Sequence, residues 1–244
     1  MKVAVLNDVH GNLPALEAVL GEVPDDADIV FGGDIVSGPM PRATYELVRS
    51  LGPRARFIRG NADYEKGDGI GGDLWERRRR WVFREQLGDE ARAFLAALPA
   101  TDVVDVDGLG PTLFCHGSPR SEGEMITAVT SEERLREILD GVEERAVVCG
   151  HTHHQFDRTV DGIRVVNAGS VGMGYEGRPG AYWALLGPEV ELRRTEYDVE
   201  STVVLFRASG YPEPDDELIP LIVEPPPADE VAPFFERQAL EGSA

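Results

Sequence analysis

The chain has 244 residues, 42% apolar and 28% charged, a composition that suits one large globular domain or one domain with a small appendage. Its formal charge of −20 repels a phosphate backbone at long range and argues against bulk nucleic acid as a partner. No apolar run approaches the roughly 20 residues needed to span a bilayer, so no membrane role is expected.

The first residues, MKVAVLNDVHG, carry one Lys and then a β-like run that meets polar residues at once. They read as a buried first strand rather than a secretory signal, and a cytoplasmic location is expected. Similar short runs recur at 29–34, 56–61, 112–117, 146–151 and 164–169, each ending in a polar turn. Continuous apolar runs of this length indicate strands buried on both faces. Helical patterns lie between the first of them, from Leu13 to Leu20 with Pro14 in the first turn, and from Ala43 to Leu51. Residues 74–98 read as helical with a break near Gly88, and 131–140 as a further helix. AYWALLG and VELRRTEYD predict a hairpin turning at Gly187-Pro188, and 199–208 another helix. Beyond Gly210 the chain is Pro-rich and acidic, which fits a self-association segment and a loosely packed extension equally, and it ends in a short helix at 229–240. The domain reading is thus 1–208 with an extension over 209–244. Strands interleaved with helices predict an α/β (α+β) layered sheet covered by helices.

In such sheets ligands sit beyond the carboxyl ends of the strands. The polar residues there are Asp8, His10, Asp34, Asn61, His116, His151, His153 and Asn167. Three of the five histidines fall within CGHTHH, residues 149–154, a density that a plain surface does not need. Two carboxylates, four imidazoles and an amide form a mixed N/O set without thiolate, suited to Mn, Fe, Zn, Co or Ni. Seven ligands exceed one ion and suit two, provided that one carboxylate bridges.

These motifs resemble those of the calcineurin-like metallophosphoesterases, in that family's order. They are Asp8-Val9-His10, Gly33-Asp34 through Gly38-Pro39, Gly60-Asn61-Ala62-Asp63, His116-Gly117 and Gly150 to His153, with NAGSVG at 167–172 matching a further turn. The resemblance implies a two-sheet β-sandwich flanked by helices. It also implies one divalent ion on Asp8, His10, Asp34 and His153 and a second on Asp34, Asn61, His116 and His151, with Asp34 bridging. A hydroxide between the ions would then attack the phosphorus of a small phosphoester substrate. The catalytic set expected on this basis is Asp34, Asn61, Asp63 and His116. Many members carry His directly after the motif Asn, where it helps protonate the leaving group; this chain has Ala62. Asp63, His154 or water would have to replace it, which favours a diester or an activated leaving group. The alternative is a non-catalytic metal-binding scaffold of the same fold.

Other features read less directly as function. Arg120, after the His116 turn, is a candidate substrate contact. ERRRRW at 76–81 spreads its arginines around a helix and reads as a solvated or salt-bridged edge. His154 reads as solvent-facing or as a support for the ligands. Cys115 and Cys149 lack CxxC spacing and read as small buried strand residues of a reducing compartment. GMGYEG (172–177) lacks the helix that a dinucleotide loop needs, and Ser170 lies in AGSVG, one residue short of a nucleophile elbow. Specificity is expected from 64–85, from 118–130 and from the tail.

Overall fold

A computed structural model of the chain describes residues 1–65 and 72–242. β1 (Lys2–Leu6), β2 (Ala27–Phe31) and β3 (Ala55–Phe57) run parallel and are joined by α1 (Leu13–Leu20) and α2 (Pro41–Ser50). Both helices begin with Pro in the first turn, where no amide donor is required, and the Asn12 side chain caps α1 by accepting from Ala15 N. Alternation divides β1 between two cores. Ala4 and Leu6 pack with Leu16 and Val19 of α1, while Val3 and Val5 pack on the opposite sheet. Burial of both faces is why this run is apolar without interruption.

The second sheet comprises β4 (Thr101–Val106), β5 (Gly110–Cys115), β6 (Ala146–Cys149), β7 (Gln155–Val160) and β8 (Ile163–Ala168) in the order β4-β5-β6-β8-β7. Its central strands are parallel and its two edges antiparallel. The hairpin of β9 (Ala181–Leu186) and β10 (Val190–Thr195) completes the first sheet, pairing antiparallel with β1. Among the described residues these are two five-stranded sheets that face each other through Val5, Val30, Phe114, Val148, Val166 and Leu186. α5 (Glu132–Ile138) covers the outer face of the second sheet through Leu135 and Ile138. The predicted two-sheet sandwich flanked by helices is the observed fold.

Segment 72–96 forms α3 (Gly72–Arg80), a π-helical turn over 81–86 and α4 (Asp89–Ala96), with the expected break at Gly88. The tail departs from expectation. After α6 (Val199–Ala208) come α7 (Leu218–Val223), which the sequence reading missed, and α8 (Ala228–Glu241). Tyr211, Leu218, Ile219 and Ile222 are buried in the same core as Leu6 and Phe31, so the tail is not loosely packed. The arginine run explains why. Arg78 is 3% exposed and donates to Pro212 O, Glu213 O and Glu217, while Arg77 pairs with Glu213. A basic helix and an acidic tail, each unremarkable alone, neutralise one another.

Candidate metal centre

Each predicted ligand follows a strand: Asp8 and His10 after β1, Asp34 after β2, Asn61 after β3, His116 after β5, His151 and His153 after β6. Five of them, Asp8, His10, Asp34, His151 and His153, have φ between 47° and 64°. That left-handed region disfavours side chains with a Cβ by roughly 1–2 kcal/mol each, so the surroundings must hold the turns in place. The Asp8–His10 turn is gripped from two sides. Asp8 N donates to Gly33 O and His10 N to Asp34 O, while the Ser170 hydroxyl and Gly172 N both donate to Asp8 O. The grip leaves no space for side chains. A Cβ at Gly38 would lie 1.7 Å from His10 O, and one at Gly172 2.0 Å from Val9 O. Asn167 holds the His151–His153 turn by donating to Gly150 O and to the Thr152 hydroxyl.

The side chains converge as two adjoining groups, Asp8-His10-His153 and Asp34-His116-His151. His10, His153 and His116 each face a backbone carbonyl through Nδ1, at Ser37 O (3.3 Å), Met173 O (3.0 Å) and Gly32 O (2.8 Å). A carbonyl only accepts, so Nδ1 carries the proton and Nε2 is left as the ligating atom. The Nε2 atoms of His10 and His153 confront each other at 3.1 Å, an arrangement that a cation between them resolves. Asp8 Oδ1, fully buried, has no hydrogen-bond partner and lies 3.2 Å from His153 Nε2. Asp34 Oδ2 stands between the groups, 3.4 Å from His116 Nε2 and 3.9 Å from His10 Nε2, the position a bridging carboxylate requires. Asn61 Oδ1 lies 2.9 Å from His116 Nε2, on the second group. The donor set and its orphaned atoms fit two borderline divalent ions. His151 and Asn61 are half-buried and the other ligands buried, so the centre opens on their side.

The electrostatics fit the same arrangement. Burial would lower His116, but Asp34 and Asp8 outweigh it and push it up to about 10. Burial and the neighbouring His116 push His151 down to about 4. Burial and His153 lower His10 as well. Asp34 is held well below the usual carboxylate range, because His116 and His10 outweigh its desolvation.

Four residues singled out in the sequence are engaged elsewhere. Asp63, expected to be catalytic, is fully buried and turned into the backbone. Its Oδ2 accepts from Asp34 N and Gly60 N and its Oδ1 from Ile35 N, so it shapes the two ligand turns and has no open path to a leaving group. Arg120 is matched by Glu124, at 2.5 and 2.8 Å, and donates to Glu137 O; its charge is already neutralised on the surface. His154 is fully buried rather than solvent-facing, with Nδ1 donating to Thr152 O and Nε2 accepting from Ala128 N. Ser170 is bound to Asp8 O and is no nucleophile. In the expected specificity segment 64–85, residues 66–71 lie outside the described residues. Sequence reasoning missed Tyr175, whose ring stacks on His153 at 4.9 Å; in GMGYEG it has no periodicity to flag it.

Residues 1–187 match the family model of the calcineurin-like phosphoesterase superfamily domain. The fold is similar to that of a metallophosphoesterase from Sphaerobacter thermophilus, 28% identical with a TM-score of 0.75, covering 92% of this chain and 98% of that one. It is also similar to a hypothetical protein from Pyrococcus horikoshii, 24% identical with a TM-score of 0.76, covering 89% and 97%. In sequence it is 25% identical over 244 residues to an uncharacterized protein of Methanocaldococcus jannaschii, covering 86% of this chain and 94% of that protein.

Proposed function

Since the chain belongs to the calcineurin-like phosphoesterase superfamily, we propose that it is a phosphoesterase dependent on two divalent metal ions and acts on diesters of a small molecule. The observation that carries this reading is the pair of adjoining ligand groups with Asp34 Oδ2 between them. Asp8, His10 and His153 would hold one ion, and Asn61, His116 and His151 the other, with Asp34 shared. When bound, two such ions supply an acidified water and a positive centre for the charge that develops on phosphate oxygens.

The remaining chemistry belongs to the chain. Backbone carbonyls orient three imidazoles through Nδ1, so that Nε2 points inward without rotamer search. Asn61 adds an oxygen without adding negative charge, which keeps the centre attractive to an anion. Substrate approaches over Asn61 and His151, the half-buried side. There Ala62 presents a methyl group, and both Asp63 and His154 are engaged with backbone amides. With these two engaged and a methyl group at position 62, a leaving group that departs without protonation is favoured, hence the diester. The charge of −20 directs the reading to small substrates over long nucleic acid. Two buried free thiols suit a reducing cytoplasm.

Turnover of bis-p-nitrophenyl phosphate and p-nitrophenyl phosphate by metal-stripped protein, before and after Mn²⁺, tests this, with Asp34→Asn as control. Metal-restored diesterase activity above the monoesterase rate, lost in the control, is expected. Faster monoester turnover would overturn the diester assignment and keep the metal chemistry. Two tightly bound ions with no turnover of either substrate would favour the scaffold.

A further inference from the structure

The His151–His153 turn contains two left-handed residues and is packed against segments that the tail in turn holds. On one side the rings of His153, Tyr175 and Phe235 form a column. His153 and Tyr175 are 4.9 Å apart at 30°, and Tyr175 and Phe235 are 6.1 Å apart at 28°. Tyr175 N donates to His153 O, so the first stack is braced by backbone. On the other side the turn is bound to the loop before α5. Thr152 Oγ1 donates to Ile126 O, and Ala128 N donates to His154 Nε2. That loop is itself fastened to α8 at the residue next to Phe235. Glu236 accepts from the hydroxyls of Thr127 and Thr130 and from Arg134, with both charges of the ion pair about 85% shielded from solvent. Two successive residues of α8 thus reach both flanks of one ligand turn.

We infer that Phe235 and Glu236 are positioning residues for the metal centre, clamping the His151–His153 turn so that His153 Nε2 stays on the ion shared with Asp8 and His10. The inference rests on the two-ion reading above. It assigns to the tail, which lies beyond the segment matched by the family model, a share in metal affinity. Physically, the turn adopts a backbone conformation that its own residues disfavour, so the strained geometry persists only while its neighbours enforce it. Removing one neighbour lets His153 swing and weakens the group that depends on it most. Partners of this kind typically change metal affinity 10–100-fold.

The test is Mn²⁺ binding to the full chain, followed by calorimetry and by the electron paramagnetic resonance signal that distinguishes a spin-coupled ion pair from single ions. Wild type is compared with Phe235→Ala, Phe235→Leu, Glu236→Gln and, as a reference for a lost first site, His153→Ala. Only variants with the wild-type circular dichroism spectrum are scored, and Phe235→Leu and Glu236→Gln serve if Phe235→Ala does not fold. The expected result is one ion held as in wild type and the other weakened about tenfold or more, with an uncoupled signal like that of His153→Ala. Phe235→Leu should recover part of the loss. Two ions held by folded variants as tightly as by wild type would overturn the inference alone. Equal weakening of both ions would mark a general loosening and also overturn it. A wild-type chain holding fewer than two ions would overturn the two-ion reading and this inference with it.

Discussion

His116 is where the centre is most sensitive to pH. Its Nε2 faces Asp34 Oδ2 at 3.4 Å and Asp8 Oδ1 at 3.9 Å, and these carboxylates, against the effect of burial, push it up to about 10. An ion and that proton compete for one lone pair. Mn²⁺ binding at about pH 7.5 should therefore release about one proton, since His151, pushed down to about 4, has none to give. Calorimetry in buffers of different ionisation enthalpy counts it, and a count of zero would contradict the assignment. The reference imidazole pKa of about 6.5 predicts proton competition below about pH 6; at His116 the window moves upward. Stability follows with a definite sign. The folded value of His116 lies above the unfolded 6.5, so its contribution is complete below 6.5 and is lost as pH rises through about 10. Asp63, pushed up to about 7 by burial and Asp34, acts in the same direction between 3.8 and 7. The Tm of metal-stripped protein should fall between pH 7 and 10 by roughly 5 °C or more, and Mn²⁺ should abolish the fall. Asp63 gives a second residue-scale prediction. An amide in its place cannot accept from all three backbone donors, so Asp63→Asn should lower stability by about 1–3 kcal/mol and weaken Mn²⁺ at the Asp34 side. Unchanged Tm and affinity with a lost monoesterase rate would instead restore Asp63 as a proton donor.

The elements differ in how plainly the sequence announced them. Central strands such as β1 and β6 are apolar on both faces and were legible as runs. β4 and β7 escaped notice because each is a sheet edge whose outward face is exposed, with Asp105 on that face in β4 and Asp157 in β7. α7, LIPLIV, is too short and too uniformly apolar to show a helical period, and Pro220 argues against it locally; burial of Leu218, Ile219 and Ile222 decides the matter. The tail is held by α3. Arg78→Ala would strand Pro212 O, Glu213 O and Glu217 and should lower stability by about 2 kcal/mol. Differential scanning should show Tm lower by roughly 4–8 °C, and limited proteolysis should cut first beyond residue 208. A wild-type melting point and digestion pattern would show that the anchor is incidental.

At the scale of the molecule, a charge of −20 surrounds the candidate metal centre. Association with an anionic small diester should therefore quicken as salt rises from about 10 to 150 mM, because screening weakens the repulsion. Long single-stranded DNA should remain uncut over that range, as gel analysis would show; cleavage strongest at low salt would point to a hidden basic track. Which side chains gather into the two candidate ligand groups was readable in the chain alone, because carboxylates and imidazoles at strand ends follow from short-range periodicity. What needed the folded chain was contact between residues far apart in sequence. Asp63 turns inward on the amides of Asp34 and Ile35, His154 is buried against Ala128, and Phe235 reaches His153 through Tyr175. Ligand type is a property of single residues. Orientation, burial and support come from packing between elements, which no local pattern encodes.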